Sequence, residues 1–197
     1  MGKIWLTSDL HFNHDKDFIL EPRGFNSVYE MNETIIKNWN SVVDADDDVY
    51  VLGDLMLGDC ELGIKFIKQL KGKIHVILGN HDTTNRINLY KDCYNIVEIV
   101  YATTIKFKGY SFYLSHYPTL TSNHDNDKPL KAKVISLCGH SHYLNKFKDM
   151  DKGMIYHVEQ ESHNNTPVLL ETIIEDLKTF TSLDRDAQLN IIKKDIY

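Results

Sequence analysis

The sequence predicts an α/β fold, and three observations predict it. Short apolar runs alternate with stretches of helical period over the first 80 residues, the pattern of strand and helix in turn. The middle of the chain, Ile96 to Leu114, is rich in Val, Ile, Tyr, Phe and Thr, the residues of strands. Five times an apolar run stops in a cluster of Asp, His or Asn. In an open α/β sheet the C-terminal strand ends line one crevice, where ligands bind.

Lys3 to Ser8 (KIWLTS) reads as a buried strand that runs straight into Asp9. Val28, Met31, Ile35 and Trp39 recur three and four apart, which makes an amphipathic helix. The acidic run Asp44 to Asp48 reads as a solvated loop leading into a second buried strand, Val49 to Leu52. Glu61 to Leu70 is helical, with Leu62, Phe66, Ile67 and Leu70 on one face, and Ile74 to Leu78 is a third strand. Ile96 to Leu114, interrupted at Lys108-Gly109, reads as a β-hairpin. Thr119 to Lys133 holds Asn123, Asp125, Asn126, Asp127 and Pro129 and reads as a loop. Val134 to Leu137 and Met154 to Val158 are short strands. Leu170, Ile173, Ile174, Leu177 and Phe180 define a helix face, and a last helix spans Arg185 to Lys194. No repeat, low-complexity tract or linker interrupts the chain, so residues 1–197 read as a single domain.

A chain of 197 residues buries roughly 70 % of its unfolded surface and needs no disulfide or metal merely to fold. Charged residues are 25 % and hydrophobic residues 42 %, a globular composition rather than a disordered or fibrous one. The net charge of −6 argues against stable nucleic-acid or membrane binding, which wants a basic face. The N-terminus lacks the basic and apolar regions of a signal peptide. No apolar run approaches the roughly 20 residues of a membrane span. Cys60, Cys93 and Cys138 are odd in number and far apart, which forms neither a disulfide framework nor a metal pair. A protein of the reducing cytoplasm is expected.

The five clusters are Asp9-Leu10-His11, Gly53-Asp54, Gly79-Asn80-His81-Asp82, Ser115-His116 and Gly139-His140-Ser141-His142. Glycine precedes three of them, as where backbone must turn sharply or approach a ligand closely. Carboxylate, amide and imidazole together suit a divalent ion of intermediate hardness. The donors are too many for one ion, and two ions about 3.5–4 Å apart sharing one carboxylate would use them fully. Taken singly, each cluster has a plainer reading. Asp-x-His is a common surface turn, Gly-Asn-His-Asp suits a β-turn, and Gly-His-Ser-His binds metal adventitiously. It is the five in order, each after an expected strand, that point to a site.

The ordered series Asp9-x-His11, Gly53-Asp54, Gly79-Asn80-His81-Asp82, His116, Gly139-His140-x-His142 resembles the calcineurin-like metallophosphoesterase superfamily. The stretch Asp9-Leu10-His11-Phe12-x-His14, followed by Arg23-Gly24-Phe25, is similar to a small bacterial and phage-type branch. The resemblance implies a four-layer αββα sandwich of two mixed β-sheets with two divalent ions at the strand ends. Mn²⁺ is first in expectation, with Fe, Zn, Ni, Co and Mg as alternatives. One ion would take Asp9, His11, Asp54 and His142, and the other Asp54, Asn80, His116 and His140, with Asp54 bridging. The implied chemistry is hydrolysis of a phosphoester by a water made nucleophilic between the ions. His81 would protonate the leaving group or hold the phosphate.

Departures narrow the activity. Protein phosphatases of the superfamily carry Gly-Asp-x-x-Asp-Arg-Gly and Gly-Asn-His-Glu. Here Gly53-Asp54 continues as Leu55-Met56-Leu57-Gly58, and Asp82 stands in place of the Glu. Gly-Asn-His-Asp is commoner in the branch acting on phosphodiesters, so a phosphodiesterase of nucleotides or short nucleic acid is expected. The alternatives are a phosphomonoesterase of nucleotidase type and a non-catalytic scaffold. A scaffold of this fold typically loses the acid histidine or some ligands, and all are present here.

Further residues have two readings each. Asp82 orients His81 or caps the following helix. His14 reaches substrate at the cleft rim or caps a loop. Arg23 clamps a phosphate or pairs with an acid on the surface. Arg86 follows the His81 loop closely enough to be a weaker candidate of the same kind. Phe12 and Tyr117 stack on a base or pack beside the site. His75 and Cys138 are expected in the core, and His124, His157 and His163 on the surface.

Overall fold

The computed structural model describes residues 2–121 and 128–194. Two mixed sheets carry the fold. The first has strands β1 (Ile4–Thr7), β2 (Asp48–Val51), β3 (Lys73–Ile77) and β4 (Ile96–Val100), all parallel. A two-residue strand, β9 (Val168–Leu169), lies antiparallel to β1 at the other edge. The second sheet is β5 (Ala102–Phe107), β6 (Tyr110–Ser115), β7 (Val134–Cys138) and β8 (Ile155–His157), in that order. Its β5–β6 pair is antiparallel, and β6, β7 and β8 run parallel.

Helices α1 (Asp17–Arg23), α2 (Val28–Val42), α3 (Cys60–Ile67) and α4 (Thr84–Tyr90) belong to the first half of the chain. Ile19, Met31, Ile35, Trp39 and Ile67 from these helices share one core with Val49, Val51, Ile74 and Val76 of the first sheet. The opposite face of that sheet presents Leu6, Leu52 and Ile77 to Phe112, Leu114, Ile135 and Leu137 of the second. Helices α5 (Leu170–Ser182) and α6 (Arg185–Ile192) add Ile173, Leu177, Phe180 and Ile192 to this second core. The alternation is the reason: Val49 and Val51 point one way, and Leu52, beyond the strand end, points to the other core.

Several expectations change. The run from Ile96 is not one hairpin. It breaks at the exposed Tyr101, so that Ile96–Val100 completes the first sheet while Ala102–Ser115 forms the hairpin. Ile96 and Ile99 pack on the first core, and that burial overrides continuity of the pattern. The hairpin turns on Lys108-Gly109, both with positive φ, the mirror-image turn that suits strand twist. Within the acidic run Asp47 is buried. It accepts from the Lys3 N–H at 2.7 Å and the Trp5 indole at 2.9 Å, tying β1 to the loop before β2. His75 is not a core residue. It is partly exposed between Asp48 (2.9 Å) and Glu98 (3.0 Å). His157 is buried between Glu159 (2.9 Å) and Asp149 (3.1 Å), not on the surface. His163 is half-buried, its Nε2 3.0 Å from the His157 carbonyl. His124 lies outside the described residues. Cys138 is buried in β7, as expected of a core thiol, and burial pushes its pKa up to about 11.

Candidate metal centre

β1, β2 and β3 are parallel, and so are β6 and β7, so the segments leaving their C-terminal ends meet on one side of the molecule. The loops are stitched together by backbone. The N–H of Asp9 donates to the Gly53 carbonyl, that of His11 to Asp54, and that of Gly139 to His116, each at 3.0 Å. Asp9, His11, Asp54, His140 and His142 all have positive φ. Such a conformation costs a non-glycine residue of order 1 kcal/mol or more. It reverses the chain directly after each strand, which aims these side chains back at one another. Close approach also needs Gly79 and Gly139. A Cβ on Gly79 would strike Asp54 Oδ1, and one on Gly139 would strike Ser8 Oγ and Asp9 Oδ2.

All seven expected ligands converge. Asp9 Oδ1 lies 3.6 Å from His11 Nε2 and 3.7 Å from His142 Nε2, and the two imidazole nitrogens are 3.2 Å apart. Asp54 Oδ2 stands between the groups, 3.8 Å from His11 Nε2 and 3.5 Å from His116 Nε2. Asn80 Oδ1 is 2.8 Å from His116 Nε2 and 2.9 Å from His140 Nδ1. Asp9, His11, Asp54 and His116 are buried, His142 is half-buried, and Asn80 and His140 are exposed.

Two observations test whether this set fits a cation. Asp9 Oδ1 is buried without a hydrogen-bond partner. His116 Nδ1–H donates to the Leu52 carbonyl at 2.8 Å, so in the neutral ring the Nε2 lone pair faces that of Asn80 Oδ1 at 2.8 Å. An orphaned carboxylate oxygen and opposed lone pairs both call for positive charge. The donor types are those of a transition ion.

The electrostatics agree. Burial drives the His11 pKa down to about 4, against the pull of Asp9, so its imidazole is neutral and able to ligate. Burial and the neighbouring His116 lower His140. Asp9 is desolvated, which alone would raise its pKa, but His11 and His142 together hold it well below the usual carboxylate range. Asp54 goes the other way, pushed up to about 6 by burial and by Asp9 despite His116.

His81 sits beside the centre. Its ring is 5.5 Å from that of His11, its Nε2 4.0 Å from Asp54 Oδ2, and its N–H donates to Asp54 Oδ1 at 2.8 Å. The His14 ring is 5.1 Å from that of His11 and 5.4 Å from the exposed Phe18. Tyr117 is half exposed, edge-on to His140 at 4.7 Å, whereas Phe12 is fully buried.

Two expectations are corrected. Asp82 neither orients the His81 ring nor caps α4, whose N-cap is Thr83. It is buried and accepts from the backbone N–H groups of Asp54 and Gly79, both at 2.9 Å, and from the Tyr90 hydroxyl at 2.7 Å. Arg23 is neither a phosphate clamp nor a surface residue. Its buried guanidinium donates to Glu161 and to the Asp9 and Leu10 carbonyls. Arg86 donates to the His81 carbonyl and braces that loop. The residue missed by sequence reasoning is Glu161, which bonds His142 Nδ1 at 2.8 Å. It lies 19 residues on, in a turn with no metal-ligand spacing to announce it.

Comparison with known proteins agrees with this geometry. An uncharacterized protein of Methanocaldococcus jannaschii is 34 % identical over 180 residues, covering 89 % of this chain and 91 % of its own. The Gene 66 protein of Mycobacterium phage L5 is 30 % identical over 166 residues, 72 % of this chain and 78 % of its own. A crystal structure of a protein of unknown function from Aquifex aeolicus shares the fold, with a TM-score of 0.68 at 22 % identity over 90 % of this chain and 100 % of that one. The sequence profile of the calcineurin-like phosphoesterase superfamily domain matches residues 3–159. With strand-end clusters, crevice and profile in agreement, the chain belongs to the calcineurin-like phosphoesterase superfamily, the metal-dependent hydrolases of phosphoester bonds.

Proposed function

We propose that the protein is a phosphodiesterase of nucleotides or short nucleic-acid ends that works with two divalent ions, Mn²⁺ foremost. Asp9, His11, Asp54 and His142 would hold one ion, and Asp54, Asn80, His116 and His140 the other. The observation that carries this reading is the placement of Asp54 Oδ2 between the two imidazole groups, 3.8 Å from one and 3.5 Å from the other. Such ions supply charge to the phosphoryl oxygens and make a water nucleophilic at neutral pH. The chain supplies the rest. His81 is partly exposed at the mouth of the centre and gives its proton to the departing alkoxide. The Asp54 carboxylate fixes the His81 backbone through its N–H, and Arg86 fixes the carbonyl side of the same residue. His14, beside the His11 ring, and Tyr117, beside that of His140, border the substrate.

The diester preference rests on the Gly79-Asn80-His81-Asp82 sequence, together with the missing Asp-Arg-Gly after Asp54. We read residues 1–197 as one domain. A reducing, cytoplasmic setting is supported by three free cysteines, two of them buried. Among the described residues no helix is long and apolar enough to cross a membrane.

The test is turnover of bis-p-nitrophenyl phosphate against p-nitrophenyl phosphate with Mn²⁺, followed by a panel of cyclic nucleotides, dinucleotides and short single strands. Faster diester turnover is expected, and monoester turnover faster throughout would overturn the preference. His81→Ala should lower kcat by about 10² to 10⁴ for a poor leaving group and by much less for p-nitrophenolate. Equal losses for both, or loss of bound metal, would remove His81 as the acid.

A further inference from the structure

We infer that Arg23 and Glu161 form a positioning pair that sets the tautomer and direction of His142 and fixes the Asp9–Leu10 backbone beside it. The inference rests on the reading of His142 and Asp9 as metal ligands. Both side chains of the pair are fully buried, 0 % and 1 % exposed. Glu161 Oε1 is shared, 2.8 Å from Arg23 Nε and 2.8 Å from His142 Nδ1. The Arg23 fork is used to its end: Nη2 donates to the Asp9 carbonyl at 2.6 Å and Nη1 to the Leu10 carbonyl at 3.1 Å. One guanidinium therefore touches the loop that carries Asp9 and His11 and, through Glu161, the ring of His142. These are the three side chains of one ion-sized group.

An ionised carboxylate only accepts, so His142 must place its proton on Nδ1. Its lone pair then sits on Nε2, the atom that faces Asp9 Oδ1 and His11 Nε2. An imidazole whose other nitrogen donates to a carboxylate is also the more basic ligand. The buried carboxylate is compensated by the Arg23 guanidinium, whose Nε lies 2.8 Å from Glu161 Oε1. A plain structural ion pair between α1 and the turn after β8 would not need its acid to bond an imidazole. Nor would it need its base to bond the carbonyls of Asp9 and Leu10. A lysine could not do this, since it lacks the planar fork.

The experiment uses ¹⁵N-labelled full-length protein. In the metal-free wild type, imidazole NMR should show His142 protonated on Nδ1, and Zn²⁺ should shift its Nε2 resonance. Glu161→Gln should weaken binding of the ion in the Asp9 group by about 10- to 100-fold, measured well below the melting temperature, and should mix the His142 tautomers. Arg23→Lys should weaken it too, with the tautomer retained. A wild-type His142 protonated on Nε2 overturns the inference, and this measurement needs no variant to fold. A Glu161→Gln protein that melts lower but binds the ion as the wild type does also overturns it, leaving only a structural pair. If Zn²⁺ leaves His142 Nε2 unmoved, it is the ligand reading that fails, and the inference falls with it.

Discussion

In the half of the centre formed by Asp9, His11 and His142, the proposed ligands are braced by a buried ion pair. In the half formed by Asn80, His116 and His140 they rest on backbone, with His116 held by the Leu52 carbonyl and the loops of Asp54 and Gly79 gathered on Asp82. The first half is the more buried, with Asp9 and His11 at 0 % and 1 % exposure and His142 half-buried, while in the second His116 is buried but Asn80 and His140 lie open to solvent. If each half holds an ion as proposed, the difference teaches that the two need not hold them equally. A more buried, charge-fixed group would be better preorganised for an ion. A group with two ligands on the surface must order them on binding and lets water compete. Asp54, shared by both, is the one side chain whose loss cannot be confined to a half.

The comparison can be broken at three levels. The largest effect belongs to Asp54→Asn. An amide oxygen does not bridge two ions as a carboxylate does, so metal content should fall to one per chain or fewer, and turnover should drop by roughly 10³-fold or more. His140→Asn should instead cost only the ion of the open half, leaving one bound, with a smaller loss of rate. Elemental analysis of the dialysed variants decides. Equal metal loss in both would mean that the halves are not separable.

The second level is pH. The Asp54 pKa, about 6 in the fold against 3.8 as a free side chain, means that the protonated form stabilises the metal-free fold. That contribution is present below about 3.8 and is lost as pH rises through about 6. His142 is also raised. Burial lowers it, but Glu161 and Asp9 outweigh burial. Protons on Asp54 and His142 must leave before an ion enters. The gain in melting temperature from Mn²⁺ over a chelator should therefore be small at pH 5 and grow toward pH 8. His11, held neutral down to about 4, adds nothing to this trend. A gain that is flat or falls with rising pH would contradict these assignments. The smallest effect is expected at Tyr90→Phe, which removes one donor from Asp82 and should cost about 1–2 kcal/mol in urea unfolding. The pH profile of turnover should not change, because Asp82 supports loops and does not touch His81.

The sequence made the convergent cluster legible because parallel strands deliver their ends to one place, and the residues there are of metal-binding type. Strand after strand, a local pattern sufficed. What stayed hidden depends on partners far along the chain. Arg23 is written as a lone basic residue, and its meaning comes from Glu161, which lies 138 positions away. Asp82 follows a histidine and invites a role toward it, yet its partners are backbone N–H groups that no pattern of side chains records. Likewise β9 is two residues long, too short for period to show, and β4 parted from the hairpin only because Ile96 and Ile99 found the first core.

The left-handed backbone at Asp9, His11, Asp54, His140 and His142 bears on how this site should be dissected. Alanine at such a position deletes a ligand and also asks an ill-suited residue to hold φ near +50° to +74°. Measured losses would then mix coordination with conformational cost. Asparagine tolerates that region far better. An asparagine scan would thus exchange each donor for an amide oxygen without asking an ill-suited residue to hold the left-handed backbone, and comparison with alanine at the same position would expose the conformational part of the loss.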